Sequence, residues 1–88
     1  MKAPHKRLNP QKRIYTRSSS TTTYINYSKS RKILEVEFKD TGKAYQYFHV
    51  PQNVWNEYKQ EIKSGGSSGK FYNKKIKPVY TEYEEIRE

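Results

Sequence analysis

Residues 44–51 have the sequence Ala-Tyr-Gln-Tyr-Phe-His-Val-Pro, a short aromatic strand pattern that ends in a proline. Because successive side chains of a strand point to opposite faces, Tyr45 and Tyr47 share one face of the predicted strand, residues 44–50. Proline is well tolerated in the first turn of a helix, where a backbone N–H has no partner. Apolar residues then recur at helical spacing, which predicts a helix over about residues 52–63 that packs on the strand.

Two further strands are predicted before this one. Residues 21–27 alternate β-branched or aromatic side chains with polar ones, and residues 33–38 place apolar side chains on one face and glutamates on the other. This alternation is typical of an antiparallel strand with one buried and one solvated face, so we expect Glu35 and Glu37 to be exposed and to pair with lysines. Gly42 suits the hairpin turn between the second and third strands. The predicted fold class is α+β, a three-stranded antiparallel β-meander covered by helix.

The serine- and glycine-rich residues 64–69 end the first predicted helix. A second short helix is predicted at about residues 70–77, and Pro78 closes it. The segments outside these elements have biased compositions. The chain is therefore predicted to consist of a flexible basic arm (1–18), a β-β-β-α-α domain (19–80) and an acidic tail (81–88).

The charge of the chain is strongly positive. Its 88 residues include 18 Lys and Arg against 9 Asp and Glu, a formal net charge of +9. A basic surface with a basic arm favours a polyanionic partner, either nucleic acid or an acidic protein surface, although excess lysine also keeps a small protein soluble. There is no cysteine and no apolar run of transmembrane length, so we expect no thiolate metal site, no membrane partner and a cytoplasmic location.

The start of the second predicted helix is a candidate phosphate site. Ser68 and Gly69 precede N–H groups that lack partners within the helix, and such groups bind phosphate readily. The alternative is an ordinary N-cap after a flexible connector. The side chains around this helix start form the densest basic patch of the predicted domain, with an amide that could face a ligand: Lys70, Lys74, Lys75, Lys77 and Asn73. These lysines are predicted either to follow a phosphate backbone or to form a solvated helix face.

Tyr45 and Tyr47 have two interpretations. Exposed on the sheet, they would stack nucleobases; packed under the helix, they would fill a core that is poor in aliphatic residues. The sequence shows no nucleophile with a base at suggestive spacing and no group of metal-ligating residues. We therefore expect a non-catalytic protein without a cofactor or metal. A three-stranded sheet has open edges, which predicts a monomer or an edge-paired homodimer.

The order and spacing of these motifs resemble the KTSC domain over about residues 19–80. The residues that carry the resemblance are Tyr27, Leu34 to Phe38, Gly42, Tyr45-Gln46-Tyr47, Val50-Pro51, Val54-Trp55 and Ser67 to Ile76. That domain occurs at the C-terminus of some lysyl-tRNA synthetases and as a small stand-alone protein of bacteria and phages. The resemblance implies a small sheet followed by helix, and the synthetase association suggests RNA binding. This chain departs from the pattern by a longer connection before Ser67.

The sequence thus predicts a small basic binding module whose first candidate ligand is RNA, ahead of DNA. Two other classes of function stay open. One is a small phage or bacterial adaptor or inhibitor that binds a protein partner. The other is a protein that captures a nucleotide or another phosphorylated small molecule at the helix start.

Overall fold

The computed structural model describes residues 6–16 and 19–86, which form a five-stranded antiparallel sheet in the order β1-β2-β3-β4-β5 with helices on one face. The strands are β1 (Ile14–Tyr15), β2 (Thr22–Ser28), β3 (Ile33–Phe38), β4 (Ala44–Tyr47) and β5 (Tyr83–Ile86). The helices are α1 (Gln52–Lys63) and α2 (Ser68–Phe71), which continues as a π-helical turn (Tyr72–Ile76). A short 3-10 turn (Pro10–Lys12) precedes β1.

The α+β class and the three central strands agree with the sequence prediction, but the predicted number of strands is wrong. β1 lies within the segment predicted as a basic arm, and β5 lies within the predicted acidic tail. β1 has only two residues, too few to show a period, and β5 carries adjacent glutamates that disfavour a strand by propensity. Both strands form because the edges of β2 and β4 offer unpaired backbone groups. Residues 1–5, 17, 18, 87 and 88 of those two segments lie outside the described residues.

The end of β4 also differs from the prediction. The strand stops at Tyr47 instead of residue 50, because His49 adopts a positive φ of 62° that turns the chain towards α1. α1 begins and ends where the sequence predicts. The second helix begins two residues earlier than predicted, at Ser68, because Ser67 accepts a hydrogen bond from the N–H of Lys70 and caps it.

The front face of the sheet, which carries Leu34 and Val36, packs against the helices. Its core is built mainly from aromatic rings: Tyr58 of α1 stacks on Phe71 of α2 with ring centroids 4.4 Å apart, and Trp55 stacks on Tyr27 at 5.4 Å. The cluster consists of Ile25, Leu34, Val36, Tyr47, Val50, Trp55, Tyr58, Phe71, Tyr72 and Ile76. Aromatic side chains bury a large area each, which compensates for the low aliphatic content of the chain.

The back face of the sheet, which carries Glu35 and Glu37, is covered by residues 6–13. Glu35 is fully buried, so the prediction that it is exposed and pairs with lysines is wrong. Its carboxylate accepts hydrogen bonds from the N–H of Leu8 (2.9 Å), the hydroxyl of Tyr24 (2.7 Å) and the amide of Gln46 (2.8 Å). A buried carboxylate needs partners of this kind, and the N-terminal segment supplies one of them.

Arg7 holds the same segment in place at a second point. Its guanidinium donates to the Glu37 carboxylate at 2.9 Å and to the Tyr24 hydroxyl at 3.1 Å. Arg13 places its guanidinium 4.2 Å from the centre of the Tyr24 ring. Two basic residues of the segment predicted as a flexible arm, Arg7 and Arg13, therefore contact the back face of the sheet.

Candidate functional site

The aromatic cleft, about 640 Å³ in volume, lies on the front face beside the helical segment that begins at Ser68. β3, β4 and β5 supply one wall, and the π-helical turn with the residues after it supplies the other. The cleft is lined by Thr21, Phe38, Asp40, Thr41, Tyr45, Tyr47, Tyr72, Asn73, Lys77, Tyr80, Thr81 and Tyr83. It therefore brings together four of the residues singled out in the sequence, namely Tyr45, Tyr47, Asn73 and Lys77.

Tyr45 and Tyr47 share this face but differ in exposure. Tyr45 is half-buried and lies edge-on to Phe38, with ring centroids 5.7 Å apart. Tyr47 is only 3% exposed, because the Tyr72 ring packs edge-on to it and the Tyr83 ring stacks on it at 5.2 Å, with an interplanar angle of 16°. Solvent therefore meets Tyr45 and Tyr83 in this cleft, while Tyr47 forms its floor.

The floor of the cleft is polar but uncharged at neutral pH. The hydroxyls of Tyr47 and Tyr72 share a short hydrogen bond. Burial is the main reason why the pKa of each of these two phenols is raised above its ordinary value, so both stay protonated at neutral pH. The cleft can thus present ring surface and neutral hydrogen-bonding groups to a ligand.

The predicted phosphate site at the helix start is occupied by protein groups. The Ser68 side chain is buried, and its hydroxyl lies 2.8 Å from both the Thr22 and the Tyr58 hydroxyls. Gly69 is also buried, and a Cβ added there would lie 2.6 Å from the Thr21 hydroxyl. Ser68 and Gly69 therefore face the sheet and hold α2 on β2.

The four predicted lysines are all exposed but divide between two surfaces. Lys77 lines the aromatic cleft, together with the exposed amide of Asn73. The other three line a second cleft, which we call the lysine cleft: Lys70, Lys74 and Lys75. Its opposite wall, formed by α1, includes Glu57 and Glu61. Over residues 6–16 and 19–86, no ion pair within 4.0 Å holds any of the four. The segment from Ser68 to Lys77 thus lies between the two clefts and contributes exposed side chains to both.

Sequence reasoning missed the aromatic residues that complete the cleft. Tyr72 lies within the lysine-rich second helix, Tyr80 follows it, and Tyr83 belongs to β5. The high tyrosine content, nine of 88 residues, indicated that aromatic surface would matter. No local pattern indicated that β5 would carry Tyr83 to Tyr47, since that contact depends on pairing with the edge of β4.

Two classes of site are not found in the described part of the chain. Within it, no group of three or more His, Cys, Asp or Glu side chains could hold a metal ion. None of the described helices has both the length and the apolar composition needed to cross a membrane.

Comparison with known proteins identifies the family. Residues 18–80 match the sequence profile of the KTSC domain. The crystal structure of a KTSC domain protein from Yersinia pestis is similar, with 31% sequence identity and a TM-score of 0.69 over 85% of this chain and 96% of the other. No curated protein matches the chain. The resemblance noted in the sequence is confirmed by both findings, and the chain belongs to the KTSC domain family.

Proposed function

We propose that the protein is a non-catalytic module that binds single-stranded RNA across the segment from Ser68 to Lys77. The observation that carries the proposal is the arrangement of two clefts on either side of that segment, one with three exposed lysines facing Glu57 and Glu61 of α1, and one lined mainly by tyrosines. The phosphate backbone follows the exposed lysines, and an unpaired base enters the aromatic cleft.

The phosphate contacts come from lysines that are free to act. Lys70, Lys74 and Lys75 are exposed, and Lys77 extends the same surface to the aromatic cleft. Contacts of this kind release counterions. For each contacted phosphate of a single strand, log K therefore falls by about 0.7 for every tenfold rise in salt concentration. Four contacts correspond to a slope of about −2.8 in log K against log salt.

The base contact comes from Tyr45 and Asn73. Tyr45 is half-buried against Phe38 and keeps part of its ring open to the cleft. The Asn73 amide offers a donor and an acceptor to the edge of a base. The cleft volume of about 640 Å³ lies within the range of small-ligand sites, roughly 300–1,000 Å³. A single strand fits this arrangement better than a duplex, because only unpaired bases can leave a stack to enter such a cleft.

Anisotropy titration of a labelled single-stranded RNA of mixed sequence, at low and high salt, tests the proposal. The triple variant Lys70→Ala/Lys74→Ala/Lys75→Ala should bind at least about tenfold more weakly at low salt, with a salt slope reduced by about 2. The matched control is Lys12→Ala/Lys29→Ala/Lys63→Ala, which removes the same charge from exposed lysines outside both clefts.

Two results would contradict RNA binding by this surface. One is no binding by the unaltered protein at low micromolar concentration and low salt. The other is an equal loss of affinity in the two triple variants, which would indicate an unspecific effect of net charge. If the unaltered protein binds no RNA, a protein retained stoichiometrically from a nuclease-treated extract would favour the adaptor or inhibitor function instead.

A further inference from the structure

Strand β5 covers Tyr47, the more buried of Tyr45 and Tyr47. It pairs with β4 in antiparallel register, with Tyr83 opposite Tyr47 and Glu84 opposite Gln46. The Tyr83 ring lies on Tyr47 at a centroid distance of 5.2 Å and an interplanar angle of 16°. This is the geometry that a stacked nucleobase adopts on an aromatic side chain. Tyr83 itself stays 52% exposed, so its ring caps the cleft without being locked into the core.

The covering segment is acidic, with Glu82, Glu84 and Glu85 next to Tyr83 in the chain. Of these, Glu85 lies opposite Tyr45 and shares the face of Tyr83, whereas Glu84 lies opposite Gln46 on the other face. The Glu85 carboxylate lies 3.9 Å from the Lys43 ammonium. The family match ends at residue 80, so β5 lies outside the part of the chain that defines the family.

We propose that β5 is a displaceable cover, in which Tyr83 occupies on Tyr47 the place of a second nucleobase. This inference rests on the proposed RNA-binding function and adds a regulatory step to it. RNA and β5 compete for the same tyrosine. With β5 in place the protein stacks one base on Tyr45, and with β5 displaced it stacks a second base on Tyr47.

The packing of β5 permits its release without global unfolding. β5 is an edge strand, bound on one side only, and the main core cluster contains no residue from it. Its buried apolar side chain, Ile86, packs away from that cluster, opposite Ala44. Edge elements with few buried contacts open at a lower free energy than the domain as a whole. The apparent association constant for binding with two stacked bases is then the intrinsic one multiplied by the fraction of molecules in which β5 is open.

A reversible disulfide between β4 and β5 tests the cover. Ala44 and Ile86 lie directly opposite each other, and residues opposite in an antiparallel pair have Cα atoms about 4.5–5.5 Å apart, within disulfide range. The chain has no cysteine of its own, so Ala44→Cys/Ile86→Cys introduces one defined bond. In anisotropy titration the oxidised protein should bind single-stranded RNA at least about tenfold more weakly than the same protein after reduction.

A second variant does not depend on the new bond. Tyr83→Ala removes the covering ring and should tighten RNA binding by about fivefold or more, the lower end of the range for stacking one base. Tyr15→Ala is the matched control, because Tyr15 is 49% exposed on the opposite edge strand, and it should leave the affinity unchanged.

The outcomes separate the two proposals. If the unaltered protein binds RNA, but the double-cysteine protein binds equally when oxidised and reduced or Tyr83→Ala does not tighten binding, the cover is refuted and the RNA-binding function stands. If oxidation weakens RNA binding by the double-cysteine protein and Tyr83→Ala binds more tightly than the unaltered protein, both proposals are supported. If no variant binds RNA in either redox state, both are overturned.

Discussion

Replacing the buried Glu35 should destabilise the whole domain, because this carboxylate joins the N-terminal segment to the sheet. It accepts hydrogen bonds from Leu8, Tyr24 and Gln46, which lie on three different elements. Glu35→Ala leaves three buried hydrogens without an acceptor. The Gln46 amide keeps one bond to the carbonyl of Lys6. Among the described residues, the backbone N–H of Leu8 donates only to Glu35.

The expected magnitude follows from the number of donors left without an acceptor. A buried donor that loses its acceptor costs about 1–3 kcal/mol, and some of this is recovered if water enters. Three such donors predict a loss of about 3–5 kcal/mol in the free energy of unfolding. Small domains have total stabilities near the lower end of about 5–15 kcal/mol, so Glu35→Ala should leave the protein close to unfolding in water.

Glu35→Gln separates the hydrogen bonds from the charge. An amide oxygen in the position of Oε1 can still accept from Leu8 and Gln46, and the amide nitrogen can donate to the Tyr24 oxygen. What is lost is the additional strength of hydrogen bonds to a charged acceptor and the acceptor of the Tyr24 hydroxyl hydrogen. We therefore expect Glu35→Gln to cost only about 1–2 kcal/mol.

Urea unfolding followed by tryptophan fluorescence measures both values. Trp55 is the single tryptophan, it is 9% exposed, and it stacks on Tyr27, so its emission will change when the core opens. The exposed Glu57→Ala is the control and should change the stability by less than about 0.5 kcal/mol. A loss below about 1 kcal/mol in Glu35→Ala would refute the reasoning, because it would mean that Leu8, Tyr24 and Gln46 do not depend on this carboxylate.

Two further predictions concern stability. Gly69→Ala should lower the free energy of unfolding by about 1–3 kcal/mol, because the added Cβ would lie 2.6 Å from the Thr21 hydroxyl. Adding Thr21→Ala should restore part of this loss, in a double-mutant cycle measured by urea unfolding. Stability should also fall in alkaline solution, because burial raises the pKa of Tyr24, Tyr47 and Tyr58 above the ordinary value of 10.0. Above pH 10.0 the unfolded chain releases protons that the folded protein retains. The stabilisation from these protonated tyrosines is therefore complete below pH 10.0 and is lost as the pH rises above it. Urea midpoints that stay constant across pH 10.0 would contradict this prediction.

The central strands and α1 were predictable from the sequence because their signals are local. The alternation in β2 and β3, and the helical spacing after Pro51, are visible within windows of about ten residues. The positions of the exposed lysines were predictable in the same way, since a charged side chain on a short helix has no reason to be buried. These features depend on residues that are close together in the chain.

The burial of the candidate site residues could not be predicted, because it depends on residues far away in the chain. Ser68 resembles an exposed cap residue, but it is buried because the Thr22 hydroxyl, 46 residues earlier, lies within hydrogen-bonding distance. Tyr45 and Tyr47 are equivalent by strand period, and only Tyr47 is buried, because Tyr72 packs edge-on to it and Tyr83 stacks on it.

The sequence by itself therefore determined the class of fold, the three central strands, the first helix and the basic character of the segment after Gly69. The tertiary structure decided the strand count, the burial of Glu35 and which tyrosine faces solvent. The physical reason is the range of the interactions. Periodicity is a property of neighbouring residues, whereas an edge strand such as β5 has too weak a propensity to form alone and exists only because the backbone of β4 is there to pair with it.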